Sequence, residues 1–407
     1  MNQTITNCVF MLKKEEKAIS WAFTIIAITS TLAINHSDCT LPERQYLWVS
    51  HLLLISSLLY LLFKTLTKYP RIRNVGLFFI FCFWYCVTTL YTYQGTSVSL
   101  NISTIITLIL FCCYDKRIWV SSYKLYYKYI VLMSLLGILA FISVYLPLGL
   151  PRTVCPYYAE RLSDSYLYLD YYYAYIVIEG PFTRLCGLFN EPGYFGTFLG
   201  LFLVAENFNM RKKGNLILLL AGIFTFSAAF FITLVLFLMI RAFLNRNFKI
   251  LLSGILVFFL IIIIGGENEN VVHLLERFTF VDGKLNAINR TGSSFDSFFD
   301  NYVNTSQLLF GYGKGFLEQK QEFGNLSYKT FLVEYGLLAC LIFWGGLFYY
   351  AIKYSKKNEL GIIFSFLFMI NIYQRPGIFV FGYMLLLYGA VCNISLSNNL
   401  NLLRTKY

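Results

Sequence analysis

The side chains able to do chemistry in this 407-residue chain are arginines and carboxylates set between long apolar runs. Arg184 and Glu191 share the string Arg184-Leu-Cys-Gly187-Leu-Phe-Asn190-Glu191-Pro192-Gly193. Pro192 followed by an apolar run predicts a helix start, which puts Glu191 at the positive end of the helix dipole. A carboxylate there either caps the helix or, beside Arg184 at the lip of a cavity, serves as a general base or as an anchor for a hydroxyl. Arg277 and Arg290 lie in a later polar stretch, and Arg375 in the short turn Tyr373-Gln-Arg-Pro-Gly377. Guanidinium groups grip phosphate oxygens in pairs, so all three are candidates for a phosphate-bearing ligand. The competing reading pairs Arg277 and Arg290 with Glu276, Asp282 or Asp296 and gives Arg375 an internal carboxylate, for which Glu334 is placed.

Two further features flank these residues. Tyrosines crowd residues 157 to 175, Tyr172 and Tyr173 among them. They read either as an aromatic belt at a membrane surface or as rings that pack on sugars, and both can hold at once. The run Gly311-Tyr-Gly313-Lys314-Gly315 is no Walker loop, since no Ser or Thr follows the lysine. Its amides could form an anion-binding nest with Lys314, or the glycines could simply turn the chain back toward the membrane. His273 reads as a non-ligand. The ten cysteines lack the spacing and histidines of a zinc site and read as packing residues, with only Cys39 and Cys155 placed for a disulfide. No metal or cofactor is expected.

The elements that must position these groups are membrane helices. Charged residues make up 13% and apolar ones 57% of the chain, and the mean hydropathy is +0.61. A soluble domain carries about 25% charge, so a large soluble catalytic domain is excluded. At about 20 residues per crossing, the apolar runs give about twelve spans. They are 19 to 35, 46 to 63, 76 to 93, 98 to 113, 126 to 148, 191 to 208, 215 to 226, 227 to 241, 250 to 264, 329 to 352, 359 to 373 and 377 to 393. Residues 215 to 241 form either one long helix or a hairpin turning at Thr225 to Ser227. The hairpin puts most of the 33 basic residues in short connections on one side, which the positive-inside rule makes cytoplasmic. The expected fold is therefore an all-α polytopic membrane protein. It forms a single membrane domain over residues 1 to 407, with both termini cytoplasmic and two long extracytoplasmic loops, 149 to 190 and 265 to 328. The net charge of +12 then reads as an attraction to anionic lipid rather than to nucleic acid. No cleavable leader is visible, so the first helix is expected to stay attached.

In their order, these residues resemble the O-antigen polymerase and ligase superfamily. The resemblance rests on Arg184-x-x-Gly187-x-x-x-Glu191-Pro192, Thr225-Phe-Ser227, Arg277 with Arg290, Leu309-Phe-Gly-Tyr-Gly313-x-Gly315 and Phe331-Leu-x-x-Glu334-x-Gly336. It covers the chain from about residue 149 onward. It implies metal-independent glycosyl transfer at the outer face of the bacterial cytoplasmic membrane, from glycans carried on undecaprenyl pyrophosphate. Ligases of the family carry a histidine shortly before the helix matching residues 329 to 352. Here that stretch, Gly324-Asn-Leu-Ser-Tyr-Lys329, has none, which favours a polymerase of O-antigen or capsule repeat units. On that reading Arg184, Glu191, Arg290 and Arg375 are catalytic, while Arg277, Lys314, Glu334, Tyr172 and Tyr173 bind substrate. The partners are the lipid-linked oligosaccharide, the bilayer and, as a candidate, a chain-length regulator protein. The alternatives are an O-antigen ligase and a lipid-linked oligosaccharide flippase. The flippase needs charges on both sides of the membrane midplane, whereas the unexplained arginines here gather on one face.

Overall fold

The computed structural model describes residues 14–31, 42–94, 102–146, 148–158, 165–179, 182–189, 191–246, 252, 272, 280–281, 284–285, 293–320, 327–374 and 380–404. Five helices come first: α1 (Lys14–Thr31), α2 (Pro42–Lys68), α3 (Val75–Leu90), α4 (Ile102–Cys113) and α5 (Lys116–Tyr145). Strands β1 (Thr153–Tyr158), β2 (Ser165–Asp170), β3 (Tyr175–Glu179) and β4 (Phe182–Gly187) follow. Helices α6 (Pro192–Ala205), α7 (Lys213–Phe224) and α8 (Ala228–Asn245) return to the bundle. A two-residue pair, β5 (Phe280–Val281) with β6 (Lys284–Leu285), precedes α9 (Ser293–Tyr302), α10 (Gln307–Phe310) and α11 (Phe316–Gln319). The last helices are α12 (Tyr328–Ser355), α13 (Glu359–Gln374) and α14 (Phe381–Arg404).

Each run read as a span falls on a helix, apart from 250 to 264, which lies almost wholly outside the described residues. Among the described residues, four segments are long and apolar enough to cross a membrane by themselves: Trp48–Lys68, Lys116–Tyr145, Ala228–Asn245 and Tyr328–Ser355. Shorter apolar helices pack beside them. Large apolar side chains such as Trp48, Phe63, Phe79 and Phe243 are exposed on the helix flanks, which water would penalise and lipid would not. The interior is aromatic instead. Trp119 stacks on Phe111 at 4.3 Å, Trp84 stacks on Phe343 at 4.2 Å, and Tyr388 meets Trp119 and Tyr354.

The helices are not the whole fold. Residues 153 to 187 form a four-stranded antiparallel meander in the order β1-β2-β3-β4, which corrects the expectation that the first long outer segment is only a loop in an all-α protein. The physical reason lies in the sequence. Ser165-Tyr-Leu-Tyr-Leu-Asp170 and Tyr175-Ile-Val-Ile-Glu179 are runs of aromatic and β-branched residues, of the kind that favours strands.

The chain reverses at Thr225 to Ser227, as the charge distribution predicts. A Cβ at Gly222 would strike the Phe230 ring, so α7 and α8 lie beside each other around the turn. The basic connections then gather at one end of the bundle. There Glu15 pairs with Lys64 and Lys68, Arg73 pairs with Asp115, Tyr123 bonds Glu206, and Arg241 pairs with Glu359. The sheet, the 225–227 turn and residues 293–319 lie at the other end.

Candidate functional site

Arg184 anchors one corner of that far end. β4 is pressed onto α5 and α6: a Cβ at Gly137 would lie 3.0 Å from Leu185, and one at Gly187, whose φ is +62°, would lie 3.0 Å from the Phe195 ring. Arg184 is consequently buried. Its Nε donates to the Thr225 carbonyl at 3.1 Å and its Nη2 to the Phe226 carbonyl at 3.4 Å. Thr225 caps the C-terminus of α7, where the last carbonyls have no intrahelical partner and the dipole is negative. A guanidinium supplies both the donors and the charge. Gly196 fits beneath the same turn, because a Cβ there would sit 2.6 Å from Ser227 Cβ and 2.8 Å from Thr225 Oγ1. The separated motif pieces Arg184 and Thr225-Phe-Ser227 thus form, with Gly196, one packed corner.

Glu191 stands at the start of α6 next to this corner. Its backbone is extended (φ −143°, ψ 144°) and its carbonyl accepts from Tyr194 and Phe195, while Pro192 occupies the first helical turn. The carboxylate makes no capping hydrogen bond and is exposed. Glu191 thus lies exposed in the positive field of a helix start without a side-chain cap.

The tyrosine turn between β2 and β3 sorts its rings. Tyr171 is buried and its hydroxyl accepts from Arg152 at 3.1 Å. Tyr172 adopts a left-handed backbone (φ 67°), donates its N–H to Asp170 Oδ1 at 2.6 Å and stays exposed, while Tyr173 is partly buried. Burial pushes the Asp170 carboxyl above its ordinary range, and the Tyr172 amide opposes that shift. Tyr172 is thus the ring of the three most open to a ligand.

A second constellation forms around Glu334. Residues 312 to 316 run as a strap between α3 and α12. The Tyr312 amide donates to Val333 O, Gly313 to Glu334 O, Lys314 to Tyr91 O, and Gly315 to the Glu334 carboxylate at 3.0 Å. Phe316 donates back to Gly313. Every amide of the strap is therefore engaged by a protein acceptor. One of them, that of Gly315, meets the Glu334 carboxyl group, and an external anion finds no free amide there. Gly311, Gly313 and Gly315 all have positive φ. At Gly313 a Cβ would lie 2.7 Å from the Tyr93 amide, and Gly336 breaks α12 with φ 79° to admit Leu309 and Phe310.

The structure sets Arg184 against the α7–α8 turn and Glu191 at the start of α6, and it brings Lys314 near Glu334. The first two residues stand among β4, α6 and the α7–α8 turn, and the second two between α3 and α12. Asp296, read as a partner for Arg277 or Arg290, pairs with Lys329 at 2.6 Å, and Lys329 also lies over the Phe299 ring, while a pairing with either arginine lies outside the described residues. Arg277, Arg290, Arg375, His273 and Cys39 lie outside the described residues, as does the Cys155 side chain. Cys112, Cys113, Cys186, Cys340 and Cys392 are buried packing residues, and Cys86 is exposed. Among the described residues, no group of three His, Cys, Asp or Glu side chains could hold a metal ion. Arg152 and the strap's partners Tyr91 and Tyr93 have structural roles that no sequence signal marks. Each acts through a partner far along the chain or through its backbone. In comparison with protein-family models, curated proteins and solved structures, nothing matches this chain.

Proposed function

We propose that this membrane-embedded chain is a polysaccharide polymerase of the bacterial cytoplasmic membrane. It would transfer a growing glycan from undecaprenyl pyrophosphate to a lipid-linked repeat unit at the outer face, without a metal. The observation that carries the reading is the exposed Glu191 carboxylate at the positive start of α6, beside a tyrosine-bearing sheet and at the end of the bundle away from the basic connections. Pyrophosphate is already a good leaving group. The reaction needs only a positioned acceptor hydroxyl, neutralisation of the charge growing on the leaving group and one proton acceptor.

In this reading the acceptor oxygen attacks the anomeric carbon as the bond to pyrophosphate breaks, and the electron pair leaves on the pyrophosphate. Glu191 takes the hydroxyl proton. Arg277, Arg290, Arg375 and Lys314 face the pyrophosphate, and Tyr172 and Tyr173 pack on the glycan. Arg184 acts as a positioning residue, through the turn whose carbonyls it holds. Glu334 acts likewise through the strap.

The test is incubation of the purified chain with lipid-linked repeat units, without metal, followed by sizing of the product. A ladder of lengths is expected from the wild type, and single units from Glu191→Gln and Arg290→Ala. No ladder from the wild type, or normal ladders from both variants, defeats the proposal. Transfer only to lipid A core would point to a ligase, and movement of the lipid across the membrane without elongation would point to a flippase.

A further inference from the structure

A cavity of about 450 Å³ opens at the basic end of the bundle, opposite the sheet and the strap. Among the described residues its lining includes Arg73, Lys116, Arg117 and Lys356 but a single carboxylate, Asp115. Asp115 pairs with Arg73 and so leaves the other three cations to the cavity. Lys116 lies 4.2 Å over the Tyr354 ring, which fixes its ammonium without neutralising it. The floor is rigid: Asn74 donates to the Cys112 and Tyr114 carbonyls, and Tyr354 donates its hydroxyl to Asn74 Oδ1 at 2.9 Å.

Two more features point inward. The cavity lies at the N-terminus of α5, a 30-residue helix whose N-cap, Asp115, makes no side-chain cap hydrogen bond. Its positive dipole end and first amides favour an anion. Independently, Ser395 lines the cavity, is 5% exposed, and has an Oγ with no hydrogen-bond partner among the described residues. Buried hydroxyls are satisfied in nearly all folded proteins, so this one stands out at the cavity wall.

We propose that this cavity is a binding site for a phosphate-bearing ligand, held by Lys116, Arg117 and Lys356 and oriented by the Ser395 hydroxyl. Phosphate suits the cations, the helix start and the hydroxyl donor together, and the volume lies within the usual range for a small-molecule site. The phosphate belongs either to an anionic lipid headgroup or to a soluble phosphate compound. The site is separate from Glu191 and stands or falls independently of the transferase reading.

The test uses the full chain, purified and stripped of lipid. In one arm it is placed in phosphatidylcholine nanodiscs and titrated calorimetrically with inorganic phosphate. In the other, phosphatidylglycerol is added in detergent and the retained lipid is counted by native mass spectrometry. Saturable binding in at least one arm is expected, and the arm that responds identifies the source. Arg117→Gln with Lys356→Gln should weaken it by about tenfold or more, and Ser395→Ala by about tenfold, the loss of one hydrogen bond to a charged group. Arg211→Gln with Lys213→Gln, which removes the same charge elsewhere on the same end, should leave it unchanged. No saturable binding in either arm, an equal loss in both double variants, or full binding by both Ser395→Ala and the Arg117/Lys356 variant would overturn the proposal.

Discussion

The Gly315 amide donates to the Glu334 carboxylate at 3.0 Å across nineteen residues of sequence. That contact ties a glycine-rich strap to the first turns of a membrane-spanning helix. It also explains a break in the helix itself: Gly336 leaves helical geometry so that the backbone of Leu309 and Phe310 can pass. The strap then crosses to α3 through paired hydrogen bonds between Lys314 and the Tyr91 to Tyr93 backbone. Tyr302 closes the far side by donating to Leu332 O at 2.7 Å.

The strap glycines should resist any side chain. At Gly336 a Cβ would lie 2.4 Å from the Phe310 carbonyl carbon, in a left-handed backbone. Gly336→Ala should therefore cost about 1–3 kcal/mol from backbone strain alone and more from the clash. Gly345→Ala, with nothing within 4 Å of its Cβ, should be neutral. Thermal unfolding in detergent compares the two, and equal midpoints would refute the strap geometry.

Removing the Arg184 side chain strips two hydrogen bonds from the end of α7. A hydrogen bond involving a charged group contributes about 1.5–3 kcal/mol, so Arg184→Ala should lower stability by several kcal/mol and loosen the 225–227 turn. Arg184→Lys should recover only part, because a point charge cannot reach both carbonyls with the guanidinium's geometry. Hydrogen exchange at residues 225 to 230 should rise in both variants, more in alanine. Unchanged protection would show that the turn holds itself.

Glu191 should behave in the opposite way. Its side chain is exposed and makes no capping hydrogen bond. Glu191→Gln should thus change stability by no more than about 0.5 kcal/mol. Glycan elongation should nonetheless fall by about 10²-fold or more if the carboxylate accepts the proton. A stable variant with full activity removes Glu191 from the chemistry.

Asp170 gives the sheet a pH dependence of definite sign. Burial raises its folded pKa above the ordinary 3.8. The folded sheet therefore holds the proton more tightly than the unfolded chain does. This contribution is complete below 3.8 and fades as pH rises through the raised value. Asp170→Asn keeps an acceptor for the Tyr172 amide and cannot titrate. Exchange of amides 165 to 179, corrected for intrinsic rates, should become faster with rising pH in the wild type and stay flat in the variant. Parallel profiles would assign the dependence elsewhere.

Much of the framework was legible from residue types alone. Apolar length fixes where helices form, because a backbone in lipid must satisfy its own hydrogen bonds. The clustering of lysine and arginine distinguished a turn at Thr225 to Ser227 from a continuous helix, since charge on the wrong side of a bilayer is costly. Pro192 marked the start of α6 and with it the place of Glu191. The strands were legible too, in the aromatic and β-branched runs of residues 165 to 179, but an aromatic belt accounts for the same tyrosines and hides the strand signal.

What the tertiary structure decided is which partner each polar group has. Arg184 and the Thr225 carbonyl are 41 residues apart, and Gly315 reaches Glu334 only because α12 breaks at Gly336. A sequence states that a guanidinium, a carboxylate or a run of amides is present. Whether another part of the same chain satisfies it, as at Arg184 and the strap, or leaves it without a partner among the described residues, as at the buried Ser395 hydroxyl, depends on long-range packing. Burial strengthens a satisfied hydrogen bond and penalises an empty one, so long-range packing decides what each polar group contributes.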